Sequence, residues 1–195
     1  MPTADEITRH REPNPDENPW VVAPPANEVV EIVEYDPSWP QRYGWLADTV
    51  RQALGDRALG LEHVGSTAVP GLAAKDVIDI DLTVVDPSDE QTYVPMLEAD
   101  GWQLTVREPS WHEHRCLRLD NPRANLHVFG PDCPEVIRHV MFRDWLRAHP
   151  DDTELYERTK RAAVSGGGTV MDYNSRKQRV VREIYDRLFR EAGLL

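Results

Sequence analysis

Apolar and polar residues alternate along the segment 77–84, which predicts a β-strand with two unlike faces. Four apolar residues share the face suited to a protein core: Ile78, Ile80, Leu82 and Val84. Asp79 and Asp81 point to the opposite face, where two crowded carboxylates repel each other unless a cation or a proton compensates. Side chains two residues apart on a strand are parallel, so both aspartates can bind one hard cation such as Mg²⁺. The alternative for this face is a solvated acidic surface.

Other strands are predicted where β-branched and aromatic residues cluster between turn-forming residues. They cover residues 29–33, 61–64, 102–107, 114–119 and 124–129. The last two are joined by a segment that is a turn by composition, Asp120-Asn121-Pro122-Arg123.

Apolar residues at helical spacing, together with start and stop signals, predict five helices. They run from a cap at Asp36 or Ser38 to Leu54, and over residues 88–99, 134–148, 153–164 and 173–192. Ser88 and Gln91 are spaced as a capping box for the second helix. Residues 165–169, SGGGT, separate the last two. Strands mixed with flanking helices and a helical C-terminal portion predict an α+β fold with a mixed sheet.

Residues 1–27 are rich in Pro, Asn, Asp and Glu and show no periodicity, so we predict a disordered or loosely packed arm. Trp20, Val21 and Val22 are the exception and are expected to dock on the body. Residues 28–195 are predicted to form one domain, in line with a chain of 195 residues.

Composition and charge narrow the functional classes. No apolar run is long enough to span a membrane, and the N-terminus lacks a secretion pattern, so a cytoplasmic protein is expected. Cys116 and Cys133 lack metal-ligand spacing and a disulfide framework, and we expect reduced thiols. The net charge of −12 argues against binding to a long nucleic acid. Residues 138–195 carry 12 Lys/Arg against 9 Asp/Glu, so a phosphate-bearing ligand is expected near the C-terminal helices.

The triplet Gly65-Ser66-Thr67 precedes the aspartate strand and is suited to holding an anion. Glycine allows a tight turn and close approach of the backbone to a ligand, and the next two residues offer hydroxyl and N–H groups. A phosphate-binding turn followed by two metal-binding acids is typical of nucleoside triphosphate chemistry, in which the metal neutralises the phosphates.

Residues 63–82, HVGSTAVPGLAAKDVIDIDL, resemble the signature of the GrpB-like family of the nucleotidyltransferase (DNA polymerase beta-like) superfamily. The resemblance continues through NLHVFG at 125–130 and VIRHVMFRDWLRAHP at 136–150, and covers roughly residues 29–190. It implies a nucleotidyltransferase-like fold and, as activity, transfer of a nucleotidyl group from a nucleoside triphosphate to a small acceptor. Asp79 and Asp81 are then the catalytic residues that hold Mg²⁺.

Basic residues are the candidate phosphate contacts beside Gly65, Ser66 and Thr67. Lys75 lies between the glycine turn and the aspartate strand, and the resemblance adds residues of the later elements. The candidates are Lys75, Arg115, Arg143 and Lys177, with ion pairing to nearby acids as the alternative for each.

One departure from the superfamily pattern limits the inference. The strand that resembles the position of a third carboxylate, residues 124–128, carries Asn125 and His127 but no acid. His127 is a further candidate metal ligand when neutral. A non-catalytic nucleotide-binding or coenzyme A-related protein with a degraded metal site therefore remains the alternative, since members of this family also occur fused to dephospho-coenzyme A kinase.

Two other sites are disfavoured by spacing. His112 and His114 would share a face of one strand, yet no second local pair supports a zinc site. The SGGGT segment lacks the spacing of a P-loop. The acceptor, the nucleotide and the oligomeric state are left open by the sequence.

Overall fold

A computed structural model describes residues 1–10, 14–23 and 30–195. Within them, five strands form one mixed sheet in the order β1-β2-β5-β4-β3. The strands are β1 Gly60–Val64, β2 Ile78–Thr83, β3 Gln103–Glu108, β4 His114–Asp120 and β5 Arg123–Phe129. β2 and β5 are parallel, and the other neighbours are antiparallel. The prediction of an α+β fold with a mixed sheet is confirmed.

The helices of the described residues flank this sheet and make up the C-terminal part of the chain. They are α1 Ala4–Thr8, α2 Trp39–Leu54, α3 Val94–Ala99, α4 Pro134–Ala148, α5 Pro150–Ser165 and α6 Val170–Glu191. Short 3₁₀ turns cover Gly55–Arg57, Ser66–Ala68 and Glu90–Thr92. The last helix begins with a capping box in which Thr169 and Asp172 exchange hydrogen bonds.

The apolar face of the sheet packs against α2 and α3 and forms the main core. Every second residue of the central strands points into it, as the alternation predicts. Its fully buried members include Trp39, Leu46, Val50, Ile80, Leu82, Leu97, Leu117 and Leu126. This face stabilises the fold, and it leaves the opposite face of the same strands for polar residues.

Strand pairing aligns the polar face. β2 and β5 are parallel, and Asp79 lies beside Asn125 while Asp81 lies beside His127. β4 continues the row on the other side of β5, with Cys116 beside His127. Residues from three strands thus meet on one face, and helices α4 to α6 cover it.

Two segments depart from the predicted elements. The described residues of the 29–33 strand contribute only an isolated bridge between Val33 and Ala74, and Val29 lies outside the described residues. The helix predicted over 88–99 begins only at Val94, because Pro95 is tolerated in the first turn of a helix but not in its interior. The capping box at Ser88 is wrong as well, since its N–H and hydroxyl both donate to Asp86.

The first ten residues of the segment 1–27, predicted as a disordered or loosely packed arm, lie against the body of the fold. Thr3 and Glu6 form a capping box at the start of α1, and Ile7 is buried against α6. Arg138 of α4 donates to the carbonyl of Ile7 at 2.7 Å. Local composition missed this helix because its stability comes from docking and not from its own five residues.

Candidate functional site

A cavity of about 510 Å³ lies between the polar face of the sheet and helices α5 and α6. Its floor is formed by β2, β5 and β4, which contribute Asp79, Asn125 and His127. One end is lined by lysines and tyrosines, and the other by Trp111 in the turn after β3 and by Trp20 of the N-terminal segment. The cavity therefore has an acidic centre, a cationic end and an aromatic end.

Asp79 lies at the centre of this floor. Its Oδ1 accepts a hydrogen bond from Nδ2 of Asn125 at 2.8 Å, and Nε2 of His127 is 3.9 Å from the same oxygen. Burial alone would raise the pKa of the Asp79 carboxyl, but these two partners and the charge of Lys75 hold it below its usual value. Asp79 is therefore ionised at neutral pH.

The glycine turn lies directly against this carboxylate. Gly65 has φ +69°, a conformation that other residues rarely adopt, and a Cβ built there would be 2.5 Å from Oδ2 of Asp79. Ser66 follows as a half-buried residue that lines the cavity. The hydroxyl of Thr67, in contrast, is buried, donates to the carbonyl of Val77 and lies 3.1 Å from Nε2 of His63. The turn thus presents backbone to the cavity, while the Thr67 hydroxyl stabilises the turn from inside.

Asp81 is almost completely buried behind Asp79. Its Oδ2 lies 2.8 Å from Nδ1 of His139 on α4, whereas its Oδ1 is buried without a hydrogen-bond partner among the described residues. Burial alone would lower the pKa of His139, but the Asp81 carboxylate raises it. Sequence reasoning missed His139, since only the packing of α4 over the sheet brings it to this acid.

Two more residues extend the polar row from His127 toward β3. Nδ1 of His127 lies 3.1 Å from Nε2 of His114, whose Nδ1 lies 2.7 Å from Glu108. Burial lowers the pKa of His114 to about 4, so this imidazole is neutral at physiological pH. Burial would also lower the pKa of His127, yet Cys116, Asp79 and Asp81 raise it well above its usual value. The environment therefore keeps His114 neutral and favours the protonated form of His127.

The zinc alternative fails on the position of His112. That residue lies in the turn before β4 with φ 54°, exposed to solvent, and does not share a strand face with His114. Across the described residues, no three His, Cys, Asp or Glu side chains converge closely enough to hold a metal ion.

Magnesium fits the oxygen donors better than it fits the histidines. Asp79 supplies an ionised carboxylate, and the orphaned Oδ1 of Asp81 is a buried oxygen that lacks a donor. The raised pKa of His127 favours the protonated imidazole, which does not bind a metal. The residues that would hold Mg²⁺ are thus Asp79 and Asp81. Without a metal ion, His127 and His139 compensate the negative charge of these two acids.

Three lysines line the cationic end: Lys75 from the connector before β2, Lys160 from α5 and Lys177 from α6. Lys160 is completely buried, and its Nζ donates to the carbonyl of Ala73. Burial, and secondarily the charge of Lys177, lower the pKa of Lys160 to about 7. The Nζ atoms of Lys75 and Lys177 lie 5.5 and 5.0 Å from the centre of the Tyr173 ring. Sequence reasoning missed Lys160, although it shares a helix face with Tyr156 four residues earlier.

Two predicted phosphate contacts do not reach the cavity. Arg115 points to the opposite face of β4 from His114, where its Nε donates to Glu90 at 2.6 Å. Arg143 is largely buried at the junction of α4 and β1, donating to Glu62 at 2.8 Å and to the carbonyl of His63 at 3.0 Å. Both side chains join structural elements, which corrects the prediction that they lie at the site.

Within the residues that the structure describes, none of the helices combines the length and apolar character needed to cross a bilayer. A family model described as GrpB protein matches residues 29–187. A UPF0157 protein of Halalkalibacterium halodurans is 46% identical over 164 residues, which cover 84% of each chain. A dephospho-CoA kinase of Mycolicibacterium paratuberculosis is 32% identical over 83% of this chain and 46% of its own length. The crystal structure of conserved protein GrpB from Enterococcus faecalis is similar with a TM-score of 0.67 and 26% identity, covering 80% of this chain and 98% of that one.

Proposed function

Because the chain belongs to the GrpB protein family, we propose that it transfers a nucleotidyl group from a nucleoside triphosphate to a small acceptor. In this proposal Asp79 and Asp81 hold Mg²⁺, and the turn at Gly65 and Ser66 meets the phosphates together with lysines of the cavity. The acceptor is a small molecule that carries a hydroxyl group.

The observation that carries the proposal is the contact between the glycine turn and Asp79. The backbone of Gly65 lies so close to the ionised carboxylate of Asp79 that no Cβ would fit between them. Three lysines line the same cavity. A site that combines acids for a hard cation with lysines for anions matches a triphosphate bound with its metal. A site for a metal ion alone would not need the lysines, and a site for an anion alone would not need the acids.

The reaction is a displacement at phosphorus. The acceptor oxygen forms a bond to the α-phosphorus, the bond from that phosphorus to the bridging oxygen of the β-phosphate breaks, and pyrophosphate leaves while the acceptor proton passes to solvent. Bound Mg²⁺ supplies charge neutralisation for the phosphates. Lys75 and Lys177 orient the leaving pyrophosphate, and Asn125 holds the Asp79 carboxylate in place through the 2.8 Å hydrogen bond.

A non-catalytic nucleotide- or coenzyme A-related binding protein is the second candidate. It is favoured by the two histidines that already compensate the acids, since His139 lies 2.8 Å from Asp81 and His127 lies 3.9 Å from Asp79. Dephospho-CoA kinases among the relatives favour a coenzyme A-related ligand for this alternative.

The test is a thermal-shift panel of ATP, CTP, GTP, UTP and coenzyme A, each with and without Mg²⁺. A ligand at a hundred times its dissociation constant adds about 2.7 kcal/mol, which raises the Tm of a chain of this size by roughly 5–10 °C. The transferase predicts a Mg²⁺-dependent shift that Asp79→Asn removes and that the exposed control Asp48→Asn retains. Pyrophosphate release with candidate acceptors then measures turnover, which Asp79→Asn should abolish.

The cationic end is tested by substitution of single cations. Lys177→Met is expected to weaken nucleotide binding roughly tenfold or more, because charged hydrogen bonds to phosphate are lost. Arg179→Met, which removes an exposed cation of α6 outside the cavity, should leave nucleotide affinity unchanged. A thermal shift that depends neither on Mg²⁺ nor on Asp79 favours the non-catalytic binding protein. The absence of a thermal shift with any nucleotide contradicts the proposed transferase.

A further inference from the structure

The aromatic end of the cavity is built from β3, the turn between β3 and β4, and the segment 17–21. Two indole rings line it, those of Trp20 and Trp111, together with Pro19 and Val106. A row of contacts separates Trp111 from the lysines: its ring packs against His114, which lies 3.1 Å from His127. His127 in turn lies 3.9 Å from Asp79, the acid whose ionisation the charge of Lys75 favours. Nothing in the proposed binding of phosphates uses it.

The segment 17–21 is joined to the free edge of β3 by backbone hydrogen bonds. The N–H of Arg107 donates to the carbonyl of Pro19 at 2.8 Å, and the N–H of Val21 donates to the carbonyl of Thr105 at 3.0 Å. Trp20 lies between them, in an antiparallel bridge with Val106. The indole of Trp20 is therefore positioned by sheet geometry and not by a loose tail.

The same segment fastens the turn that carries Trp111. Glu17 accepts hydrogen bonds from the N–H and the hydroxyl of Ser110, one residue before Trp111. The Trp111 ring packs edge-on against His114 and Phe129, with centroid distances of 4.8 and 5.7 Å. Segment and turn thus form one unit that presents both indoles to the cavity.

Charge separates this end from the lysine end. Its charged lining residues are Glu108 and Arg118, whose formal charges cancel, whereas three lysines line the other end. Aromatic side chains bind flat apolar groups through area and stacking, and an environment without net charge does not favour an ion. The chemistry therefore differs from that of a phosphate site.

We propose that Trp20 and Trp111 form a separate subsite that binds an uncharged small molecule with a flat apolar body, and that this molecule is the acceptor. The binding preference stands on the indoles and the balanced charge, while its assignment as the acceptor rests on the proposed function. Segment 17–21 precedes the family match over residues 29–187. Acceptor specificity in this proposal therefore depends on a residue outside the matched region, Trp20.

The test titrates the full ¹⁵N-labelled chain with benzyl alcohol, and with benzylamine and benzoate as charged counterparts, in two-dimensional NMR. Six tryptophans report through their indole N–H signals. Benzyl alcohol is expected to shift the signals of Trp20 and Trp111 saturably, and more tightly than either ion. Trp20→Ala should weaken this binding about tenfold, Trp20→Phe less, and the exposed control Trp45→Ala not at all.

ATP and UTP are titrated into the same variants. Nucleotide affinity that changes less than twofold in Trp20→Ala supports a separate acceptor subsite. If Trp20→Ala weakens nucleotide binding as much as benzyl alcohol binding, the separate subsite is contradicted and the indoles bind the nucleobase. If neither Trp20 variant changes the binding of benzyl alcohol, the subsite itself is contradicted. Wild-type chain that binds benzyl alcohol but no nucleotide contradicts the proposed function, and the assignment as acceptor falls with it.

Discussion

The two sides of the sheet bury side chains equally well but satisfy them in different ways. Ile80 is fully buried against α2 and α3, and Asp81, the next residue, is 1% exposed on the other side. Ile80 belongs to the apolar core cluster, whereas Asp81 has one oxygen beside His139 and one that lacks a partner among the described residues. Burial by itself therefore does not distinguish core from site, and the chemistry of the contacts does.

Several ionisable groups on the cavity side have perturbed pKa values. Burial lowers the pKa of Lys160 to about 7 and that of His114 to about 4, while neighbouring groups raise the pKa of His127 and lower that of Asp79. Groups of this kind cost stability unless they are compensated, so their clustering is typical of functional sites. The apolar side therefore stabilises the fold, whereas the cavity side carries ionisable groups that are costly to bury.

The largest effect is expected from opening the apolar side. Ile80→Ala removes a fully buried side chain and should lower the free energy of unfolding by about 2–5 kcal/mol. Leu59→Ala, at an exposed position, should change it by less than about 0.5 kcal/mol. Denaturant unfolding measures both. An Ile80→Ala variant as stable as wild type would show that the two sides are not divided in this way.

Buried Lys160 should make stability depend on pH. Its folded pKa of about 7 lies below the ordinary value of 10.5, so the unfolded state binds more protons between these values and stability falls as pH drops from 10.5 to 7. Between pH 9.5 and 7 this amounts to about 3 kcal/mol. Lys160→Met removes this pH dependence. The free energy of unfolding of wild type, relative to that of the variant, should therefore rise as the pH increases from 7 to 9.5.

The control for this measurement is Arg179→Met, which replaces an exposed cation of α6 and should leave the pH dependence unchanged. Parallel curves for wild type and Lys160→Met between pH 7 and 9.5 would contradict a depressed pKa at this lysine.

The smallest effect compares two glycines. Gly65→Ala forces a side chain into φ +69° and against Asp79, and should cost about 1–3 kcal/mol and weaken nucleotide binding. Gly44→Ala places a methyl group in open space within α2 and should raise the free energy of unfolding by about 0.5–1 kcal/mol. Thermal unfolding and nucleotide titration measure both. Equal behaviour of the two variants would argue against a special role for the turn.

Local patterns predicted the elements whose signals lie within a few residues. The alternation in β2 placed Ile80 in the core and Asp79 on the polar face, and the glycine turn was found beside it. The helix predicted over 88–99 is too long, because Pro95 fits the first turn of a helix and not its interior. Arg115 was predicted as a phosphate contact, but on β4 it is Arg118, at the opposite parity, that lines the cavity.

Residues brought in from distant elements could not be found in this way. His139 reaches Asp81 across 58 positions of sequence, and Lys160 reaches the carbonyl of Ala73 across 87. Nothing local distinguishes such a histidine or lysine from one on a solvated helix face, because its pKa and its partners come from the helix packing.

The amino-acid sequence by itself determined the alternation of β2, the glycine turn and the family, because each is written in neighbouring residues. Tertiary structure alone decided which cations face the cavity, how the acids are compensated and that segment 17–21 completes one wall. The physical reason is that side-chain direction follows local backbone geometry, whereas burial, ionisation and partner choice depend on which elements pack together.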